Sequence, residues 1–441
     1  MFMKVIVVGA VAGGATVASQ LRRISDAEIT VYEKDRDMSF ANCGLPYYIG
    51  TSISNRNALI STTPADFKAQ KNITVKTYHE VIAIDAEKKQ ITVKDHTHNT
   101  TFNDDFDYLI LSPGARQTSL PVLDAPHVFS MRNLEDTDKI ENFIQTHGVK
   151  NVLVVGAGYI SLELVESLSL RGLDVTLVHR SEHLLKAVDQ AMTRHIPDIL
   201  TAHHVRVLLN DEVKALEGKK VHLKSGRHFE YDMIISALGI TPNTDFIKSS
   251  DIKITESGHI KVNEYFETNY PYIYALGDAI ETRYRHVDAP AQIALAWGTH
   301  RAANIIAKNI VQPKSISFKG LLGTNIIRLF DTTFASTGVT PDLLQSFDYE
   351  VVTQTQKQHA GYMPGAEPIT LTVYYDKHTR HILRASAYGK SGVDKRIDII
   401  ATAMIGHLTV DDLKDIEVAY SPVYSSPKDI VNMIGYKAEQ K

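Results

Sequence analysis

The chain is 441 residues long, with 44% hydrophobic and 22% charged residues and a formal net charge of −4. This length predicts several domains, the small net charge excludes a general attraction to nucleic acid or anionic membranes, and no apolar run reaches the roughly 18 residues of a membrane span. The single cysteine, Cys43, excludes disulfides within the chain, cysteine-rich zinc sites and iron–sulfur clusters; it favours the reducing cytoplasm, and we predict no metal site.

The N-terminal segment reads as a strand, a glycine turn, a helix and a second strand. Lys4–Val8 is apolar and β-branched, as in a strand buried on both faces of a parallel sheet, and Ala15–Arg23 has helical spacing. Ile29–Tyr32 is the next strand and ends at Glu33. The turn before the helix consists of Gly9, Ala10, Val11, Ala12, Gly13 and Gly14. Although Val11 replaces the middle glycine of the dinucleotide fingerprint, this order predicts a Rossmann unit.

The ligand of this first unit follows from the turn and the acid. Small residues let backbone amides and the helix N-terminus approach a pyrophosphate. Glu33 can accept hydrogen bonds from an adenosine ribose, as FAD would offer. A strand–helix turn without a ligand is the structural alternative.

Cys43 lies in the stretch SFANCGLPY, Ser39 to Tyr47. Polar Ser39 and Asn42 precede it, and turn-prone residues follow it. A structural thiol is more often found inside an apolar run, so this placement favours a chemical role over a packing role.

The same strand–turn–helix order occurs again in the middle of the chain. Val152–Val155, Leu162–Leu170 and Val175–Val178 read as strand, helix and strand. The turn consists of Gly156, Ala157, Gly158, Tyr159, Ile160 and Ser161, with Ser161 in place of the last glycine. The second strand ends in His179-Arg180-Ser181 without an acid, which suits a ribose 2′-phosphate and favours NADPH over NADH. An exposed arginine at a strand end is the alternative.

Two further short strands fit the flavin unit. Tyr108 to Gly114 reads YLILSPG and Tyr272 to Asp278 reads YIYALGD. Asp278 would place a carboxylate where the ribityl chain of a flavin could be held. We predict flavin contacts at Ser112, Gly114, Gly277 and Asp278.

These patterns predict an α/β protein with two Rossmann-like dinucleotide-binding domains and a C-terminal α+β dimerisation domain. The FAD domain would be discontinuous, with residues 1–149 and 251–317 on either side of an NADPH domain at residues 150–250. Residues 318–441 carry no nucleotide signal. There Ile326–Thr340, Tyr349–Thr355 and Ile369–Tyr375 read as antiparallel strands, and Lys395–Ile405 reads as an amphipathic helix.

This order of motifs resembles the pyridine nucleotide–disulfide oxidoreductase family over nearly the whole chain. Ser39, Phe40, Cys43 and Pro46 match the S-F-x-x-C-x-x-P pattern of its single-cysteine branch. Tyr48 stands where the two-cysteine members carry their second cysteine. The loop GAVAGGAT and the segments HAGYMPG, EVAY and YSSPKD resemble the members that act on coenzyme A disulfide.

The resemblance implies an enzyme that reduces coenzyme A disulfide to two CoA thiols with NADPH and FAD, and so maintains thiol balance in the cytoplasm. Cys43 would be the nucleophile and form a mixed disulfide with CoA. Tyr362 and Tyr420 match catalytic tyrosines that reach the sulfur site of the other subunit in a homodimer, and Tyr420 would also contact FAD. Val81 is implied as a further FAD contact, Tyr159 as the ring that covers the flavin, and Glu163 as the partner of the nicotinamide carboxamide.

The substrate contacts come partly from spacing and partly from the resemblance. Thr16, Gln20 and Arg23 share one face of the first predicted helix and match substrate-contacting positions of the family. The resemblance adds Ser39, Asn42, Lys71, His300, Tyr362 and, from the partner subunit, Lys428. For each charged residue alone, a solvated surface is the alternative.

Other functions stay open at this stage. A CoA-persulfide or polysulfide reductase and an NAD(P)H peroxidase occur in the same family, but its peroxide-reducing members carry a histidine where this chain has Ala12. A rhodanese-like domain would favour persulfide chemistry. A flavoprotein redox sensor is the non-enzymatic alternative, and we find no interaction segment that would support it.

Overall fold

Two five-stranded parallel sheets form the framework of the protein in its computed structural model, which describes residues 3–441. The strand order of the first sheet is Ile273–Ala275, Tyr108–Leu111, Lys4–Val8, Glu28–Tyr32 and Thr74–Lys76. The central strand is buried from Val5 to Val8, because helices and loops cover both faces of a parallel sheet. The strand Ile273–Ala275 of this sheet comes more than 150 residues after the other four strands in the chain, since the last of them ends at Leu111.

The second sheet is made entirely of residues that lie between the strands of the first. Its order is Arg206–Leu208, Asp174–Val178, Asn151–Val155, Met233–Ser236 and Val128–Phe129. All neighbours are parallel. The prediction of two Rossmann-like units is confirmed.

The predicted boundary at residue 150 is corrected by the structure. Val128–Phe129 pairs with Met233–Ser236 in the second sheet, and the helix Leu134–His147 buries its apolar face in the core of that sheet. The chain passes from the first unit to the second at Ala115–Gln117 and returns at Ile240–Pro242, and these two strands pair with each other in antiparallel orientation. The sequence missed this boundary because a two-residue strand gives no periodic signal.

The C-terminal part is an antiparallel sheet with helices on one face. Its strand order is Asn325–Leu329, Thr332–Gly338, Ile382–Gly389, Pro368–Asp376 and Tyr349–Lys357. The helices Val393–Ile405 and Ile430–Ala438 pack on it in one apolar core. The predicted strand over Ile326–Thr340 is a hairpin of two strands, but the α+β class is confirmed.

Smaller elements connect these three parts. The remaining strands are His79–Asp85, Gln90–Asp95, Thr100–Asp105, Val213–Glu217, Lys220–Leu223, His228–Glu230, Ile260–Lys261, Ile280–Arg283 and Pro290–Ala291. The remaining α-helices are Ala12–Arg22, Leu45–Ile49, Pro64–Lys71, Tyr159–Leu170, Gln190–Thr193, Ile196–Ala202, Ala296–Val311 and Pro341–Leu344. Short 3₁₀ helices occur at Asn42–Gly44, Arg56–Leu59, Asp245–Ile247, Gly277–Ala279 and Asp411–Asp415. None of the helices within residues 3–441 is long and apolar enough to cross a membrane.

Candidate active site

The first glycine turn is packed so closely that side chains are excluded. A Cβ on Gly14 would lie 1.7 Å from the carbonyl oxygen of Gly9, and a Cβ on Gly13 would lie 2.3 Å from the hydroxyl oxygen of Ser112. The helix begins at Ala12, earlier than the predicted Ala15, because these glycines belong to its first turn. That turn holds no acidic residue, so its free amides are available to a pyrophosphate. The turn fits the FAD that the sequence predicts.

Glu33 is fixed beside this turn. Its carboxylate accepts hydrogen bonds from the amide of Ala10 at 2.7 Å and from the amide of Asp35 at 3.0 Å. Burial raises the pKa of Glu33 to about 7, although these amide bonds act in the opposite direction. The amide of His79 donates to the carbonyl of Glu33, which holds the strand of Val81 alongside. The side chain of Val81 is buried in the core, so only its backbone is available to a ligand.

Asp278 is held by an arginine that the sequence did not point to. A nitrogen of the Arg132 guanidinium lies 3.0 Å from a carboxylate oxygen of Asp278, and Nε of Arg132 donates to the carbonyl of Ala115 at 3.0 Å. Gly277, with a φ of +84°, begins the turn that carries Asp278. Gly114 also has a positive φ, and its carbonyl accepts from the amide of Asn243. Arg132 lies in a loop without a motif, which is why spacing could not reveal it.

The loop of Cys43 is attached to the glycine turn through Ser39. The amide of Ser39 donates to the carbonyl of Ala10 at 2.9 Å, and the carbonyl of Ser39 accepts from the amide of Ser61 at 2.8 Å. Cys43 lies in the 3₁₀ helix Asn42–Gly44 and is exposed. The amide group of the Asn42 side chain approaches the carbonyl of Arg132 at 3.5 Å. The cysteine therefore lies on the loop that borders the flavin turn.

The polypeptide raises the pKa of the Cys43 thiol. Desolvation is the largest cause, followed by the carboxylates of Glu163 and Asp278. Burial raises the pKa of Glu163 itself to about 7, with a contribution from Glu166. The protein groups by themselves therefore disfavour the thiolate, first through desolvation of the thiol and then through the charges of the two acids.

A groove of about 390 Å³ brings together five of the predicted substrate residues. They are Thr16, Gln20, Arg23, Ser39 and Lys71. The groove also includes residues that the sequence did not indicate, namely Ala15, Ser19, Ser61, Thr62, Asp66, Phe67 and Gln70. His300 stands beside it, with its Nδ1 3.1 Å from the hydroxyl of Thr16.

Two cations in this groove have no carboxylate partner within residues 3–441. Nζ of Lys71 donates to the Ser19 hydroxyl at 2.8 Å, and the guanidinium of Arg23 donates to Gln20 at 3.3 Å. Burial and the charge of Arg23 lower the pKa of Lys71. The carboxylate of Asp66, also in the groove, accepts instead from the hydroxyl of Thr63. Paired cations without acids favour an anionic ligand with several phosphates.

The predicted site residues Tyr362, Tyr420 and Lys428 belong to the C-terminal part of the chain. The Tyr362 and Tyr420 side chains are 74% and 48% exposed, and the phenol of Tyr362 raises the pKa of Tyr420. Nζ of Lys428 lies 5.1 Å from the ring centre of Tyr436. Within residues 3–441 of one chain, no hydrogen bond joins either Tyr362 or Tyr420 to the loop of Cys43.

The packing of the second glycine turn shows why Ser161 can replace the last glycine of the fingerprint. A Cβ on Gly156 would lie 2.2 Å from the carbonyl oxygen of Ala237, whereas one on Gly158 would meet no atom within 4 Å. Ser161 stands where a third glycine is usual, and its buried hydroxyl donates to the carbonyl of Ala237 at 3.1 Å. The helix begins at Tyr159 rather than the predicted Leu162, with Ile160 in its first turn. The open space at Gly158 fits a nicotinamide dinucleotide.

Tyr159 and Glu163 point from this helix toward neighbouring parts of the protein. The Tyr159 hydroxyl donates to the side-chain oxygen of Asn325 in the C-terminal sheet. Burial raises the pKa of Tyr159. Tyr47, which follows Cys43 on the cysteine loop, is close enough to Glu163 to lower the pKa of that carboxyl group, against the larger effect of burial. The helix thus lies between the cysteine loop and the C-terminal sheet.

A basic cluster follows the second strand of this unit. Burial lowers the pKa of His179, and so do the positive charges of Arg180, Lys186 and His183, so all three charges act on the same imidazole. The amide of Leu185 donates to the carbonyl of Ala157 at 2.9 Å, so the chain returns to the glycine turn. The sequence did not single out Lys186, because a lysine in a loop reads as surface charge.

The profile of the family described as pyridine nucleotide-disulphide oxidoreductase matches residues 3–295. The chain belongs to this family. Membership makes it a flavoprotein oxidoreductase, with FAD and a nicotinamide nucleotide as cofactors, and confirms the family and the class of enzyme that the sequence predicted.

Individual members of the family extend the similarity beyond residue 295. The coenzyme A disulfide reductase of Staphylococcus haemolyticus is 53% identical over 436 residues, which are 99% of each chain. The structure of reduced CoADR-RHD from Bacillus anthracis has a TM-score of 0.97 and 40% identity, and the match covers 100% of this chain and 80% of that one.

An engineered member is informative about the nucleotide. It is a water-forming NADPH oxidase, bound to NADPH and made from the enzyme of Lactobacillus brevis, with a TM-score of 0.94, 27% identity and coverage of 99% and 98% of the two chains. The substitutions that define it create an Arg-Ser pair and a further Arg five positions after that Ser.

Proposed function

We propose that this protein reduces coenzyme A disulfide to two CoA thiols with NADPH, through a mixed disulfide at Cys43, in the cytoplasm. The observation that carries the proposal is the pair Arg23 and Lys71, two cations without carboxylate partners in the described chain, in a groove that includes Ser39 of the cysteine loop. CoA carries a pyrophosphate and a 3′-phosphate, which need such a local cationic site in a protein of small net negative charge. The name of the S. haemolyticus relative supports the same substrate.

One cysteine is sufficient for this chemistry because the substrate supplies the second sulfur. The Cys43 thiolate attacks one sulfur of CoA disulfide, a Cys43–CoA disulfide forms, and the other CoA leaves as a thiolate. Two electrons then cleave the mixed disulfide to the Cys43 thiolate and a second CoA thiolate, and the two CoA thiolates take up two protons. FAD, when bound, passes on these two electrons, which NADPH donates as a hydride.

The residues of the first unit would hold FAD in three places. The turn from Gly9 to Gly14 and the first amides of the helix would bind the pyrophosphate, and Glu33 the adenosine ribose. Asp278, oriented by Arg132, would bind the ribityl chain. Ser112 and the backbone of Val81 would complete the contacts.

The basic cluster supports NADPH as the reductant. Arg180 and Ser181 form an Arg-Ser pair, and Lys186 follows Ser181 at the spacing at which the engineered NADPH oxidase places its further Arg. Arginine and lysine bind a 2′-phosphate through charge-assisted hydrogen bonds, and a neutral 2′-hydroxyl would gain much less from them.

A homodimer that shares its active sites completes the proposal. Tyr362 and Tyr420 are exposed in one chain, and the phenol of Tyr362 raises the pKa of Tyr420. A phenol of the partner subunit could protonate the leaving CoA thiolate. Hybrids of a Cys43→Ser chain with a Tyr362→Phe/Tyr420→Phe chain should regain activity, because one intact cysteine then meets intact tyrosines. Hybrids as inactive as their parents would contradict sharing.

The function itself is tested by anaerobic NADPH oxidation with CoA disulfide, glutathione disulfide or hydrogen peroxide. We expect rapid oxidation with CoA disulfide alone and its loss in Cys43→Ser. Turnover of peroxide without turnover of CoA disulfide would overturn the proposal and favour the peroxidase alternative.

A further inference from the structure

The segment Ser181–Asp189, here called the basic loop, links the end of a strand in the second sheet to the helix Gln190–Thr193 and carries Lys186. On one side it is bound to the glycine turn of its own unit. The amide of Leu185 donates to the carbonyl of Ala157 at 2.9 Å, and Leu185 takes a φ of +48° to reach it. A branched side chain at positive φ is strained, so the surrounding contacts must hold it there.

On the other side the basic loop is bound to the C-terminal sheet. A terminal nitrogen of the Arg384 guanidinium donates to the carbonyl of Ala187 at 2.7 Å, and Nε of Arg384 donates to Asp189 at 2.8 Å. The Ser336 hydroxyl also donates to the Ala187 carbonyl, at 3.0 Å. Arg384 and Asp189 are 2% and 6% exposed.

These contacts leave Lys186 in a defined place. Its side chain is exposed, but its two neighbours in the chain, Leu185 and Ala187, are bound to opposite units. One planar guanidinium reaches Ala187 and Asp189 together, which the single ammonium of a lysine cannot reproduce. Loss of Arg384 would leave the Asp189 carboxylate buried without a counter-ion, and the loop would have to move to solvate it.

We propose that Arg384, a residue of the C-terminal sheet, is a positioning residue for nucleotide specificity: it fixes the basic loop so that Lys186 lies with Arg180 at the 2′-phosphate of NADPH. This inference rests on the proposed use of NADPH. It assigns to the C-terminal unit a second role, besides the proposed dimer contact. Arg384 touches neither nucleotide nor substrate and acts through the loop.

The chain offers a matched control in a second buried ion pair. Arg396 and Asp429 lie 2.7 Å apart and are 2% and 1% exposed, but both belong to the C-terminal unit and neither contacts the basic loop. Arg384→Met and Arg396→Met each leave one carboxylate unpaired in the interior. A general loss of stability would therefore affect both variants, whereas only Arg384→Met should change nucleotide preference.

The test uses the FAD-containing protein and two readouts. The first is the dissociation constant for 2′,5′-ADP, measured by calorimetry; the second is kcat/KM for NADPH relative to that for NADH. We expect Arg384→Met to weaken the binding of 2′,5′-ADP about tenfold and to lower the ratio of kcat/KM for NADPH to kcat/KM for NADH by a similar factor. Arg384→Lys should give intermediate values, and Arg396→Met should give those of the wild type. Lys186→Ala should lower the ratio at least as far.

The outcomes separate the two proposals. A wild-type protein that does not distinguish NADPH from NADH overturns the proposed use of NADPH, and this inference with it. A wild-type preference that persists in Arg384→Met overturns only the role of Arg384. If Arg384→Met does not fold, Arg384→Lys decides, because its single ammonium cannot reach Ala187 and Asp189 together: we expect about a threefold weaker binding of 2′,5′-ADP, and unchanged binding would overturn the inference.

Discussion

Ser39 donates its amide hydrogen to the carbonyl of Ala10, 2.9 Å away, and so joins the loop of the only cysteine to the turn that would bind the flavin pyrophosphate. The amide of Ala10 in turn donates to Glu33, and the carbonyl of Ser39 accepts from Ser61 in the substrate groove. One run of backbone hydrogen bonds thus connects the predicted ribose acceptor, the glycine turn, the cysteine loop and the groove. The backbone therefore sets the relative positions of these parts.

The two acids near the sulfur predict a directed change in thiol acidity. Glu163→Gln removes a negative charge that disfavours the thiolate, so the pKa of Cys43 should fall, by a few tenths to about one unit. The measurement is the pH dependence of the alkylation rate, which reports on one site because Cys43 is the only cysteine. Glu166→Gln, one turn along the same helix, is the control and should shift it less; an unchanged or higher pKa in Glu163→Gln would contradict the assignment.

Removal of either groove cation should weaken substrate binding and leave the chemical step unchanged. We expect Arg23→Ala and Lys71→Ala each to raise KM for CoA disulfide about tenfold or more, because each removes a charged hydrogen bond to phosphate worth roughly 1.5–3 kcal/mol. Lys68→Ala, on the same helix as Lys71 but outside the groove, should leave KM unchanged.

A substrate without those phosphates sharpens this test. Pantethine keeps the disulfide and loses the nucleotide part of CoA, so Arg23→Ala and Lys71→Ala should turn it over like the wild type. An equal loss with both substrates would show that these cations act on the structure or the chemistry instead.

The raised pKa of Glu33 makes flavin binding dependent on pH. Burial raises the pKa of this carboxyl group to about 7 in the protein without FAD, and a ribose hydroxyl donates a stronger hydrogen bond to the carboxylate than to the neutral acid. FAD binding should therefore weaken as the pH falls through 7, by up to about tenfold per unit. Titration of the flavin-free protein with FAD, followed by flavin fluorescence, measures this. Glu33→Gln should bind FAD more weakly than the wild type at about pH 8, and its FAD affinity should not depend on pH around 7. If the pH dependence persists in this variant, it belongs to another group, such as Glu163.

The two glycine turns should respond differently to one added methyl group. Gly14→Ala would bring a Cβ to 1.7 Å from the Gly9 carbonyl, so the first unit must distort, and we expect loss of FAD and a lower melting temperature. Gly158→Ala meets open space and should keep both the fold and the FAD. Its cost should be a higher KM for NADPH, since the methyl group fills the space where the nucleotide lies. A Gly14→Ala protein that purifies with full FAD would contradict the close packing.

The parallel sheets could be predicted because their central strands are continuous apolar runs, as at Lys4–Val8 and Val152–Val155. The starts of the helices could not: Gly13 and Gly14 read as loop, since glycine disfavours helix, but contact with Gly9 and Ser112 requires glycine in the first turn. Helical spacing placed Thr16, Gln20 and Arg23 on one face, the family resemblance implied that this face contacts the substrate, and all three line the groove.

Arg132 and Lys186 were missed for a different reason. Each lies in a loop, and its partners are distant in the sequence: Asp278 for Arg132, and the glycine turn for the basic loop. Periodicity describes regular elements, so loop residues that act over long chain separations become visible only in the folded protein.

The chain order of the first sheet determines how the protein is assembled during synthesis. The strand Ile273–Ala275 and Asp278 leave the ribosome only after every strand of the second sheet has been made. The nicotinamide unit can therefore fold while the flavin unit still lacks its edge strand and its ribityl acid, since domains commonly fold as they emerge. Capture of FAD becomes a late event, and a chain truncated before residue 273 would hold every strand of the second sheet without a complete flavin site.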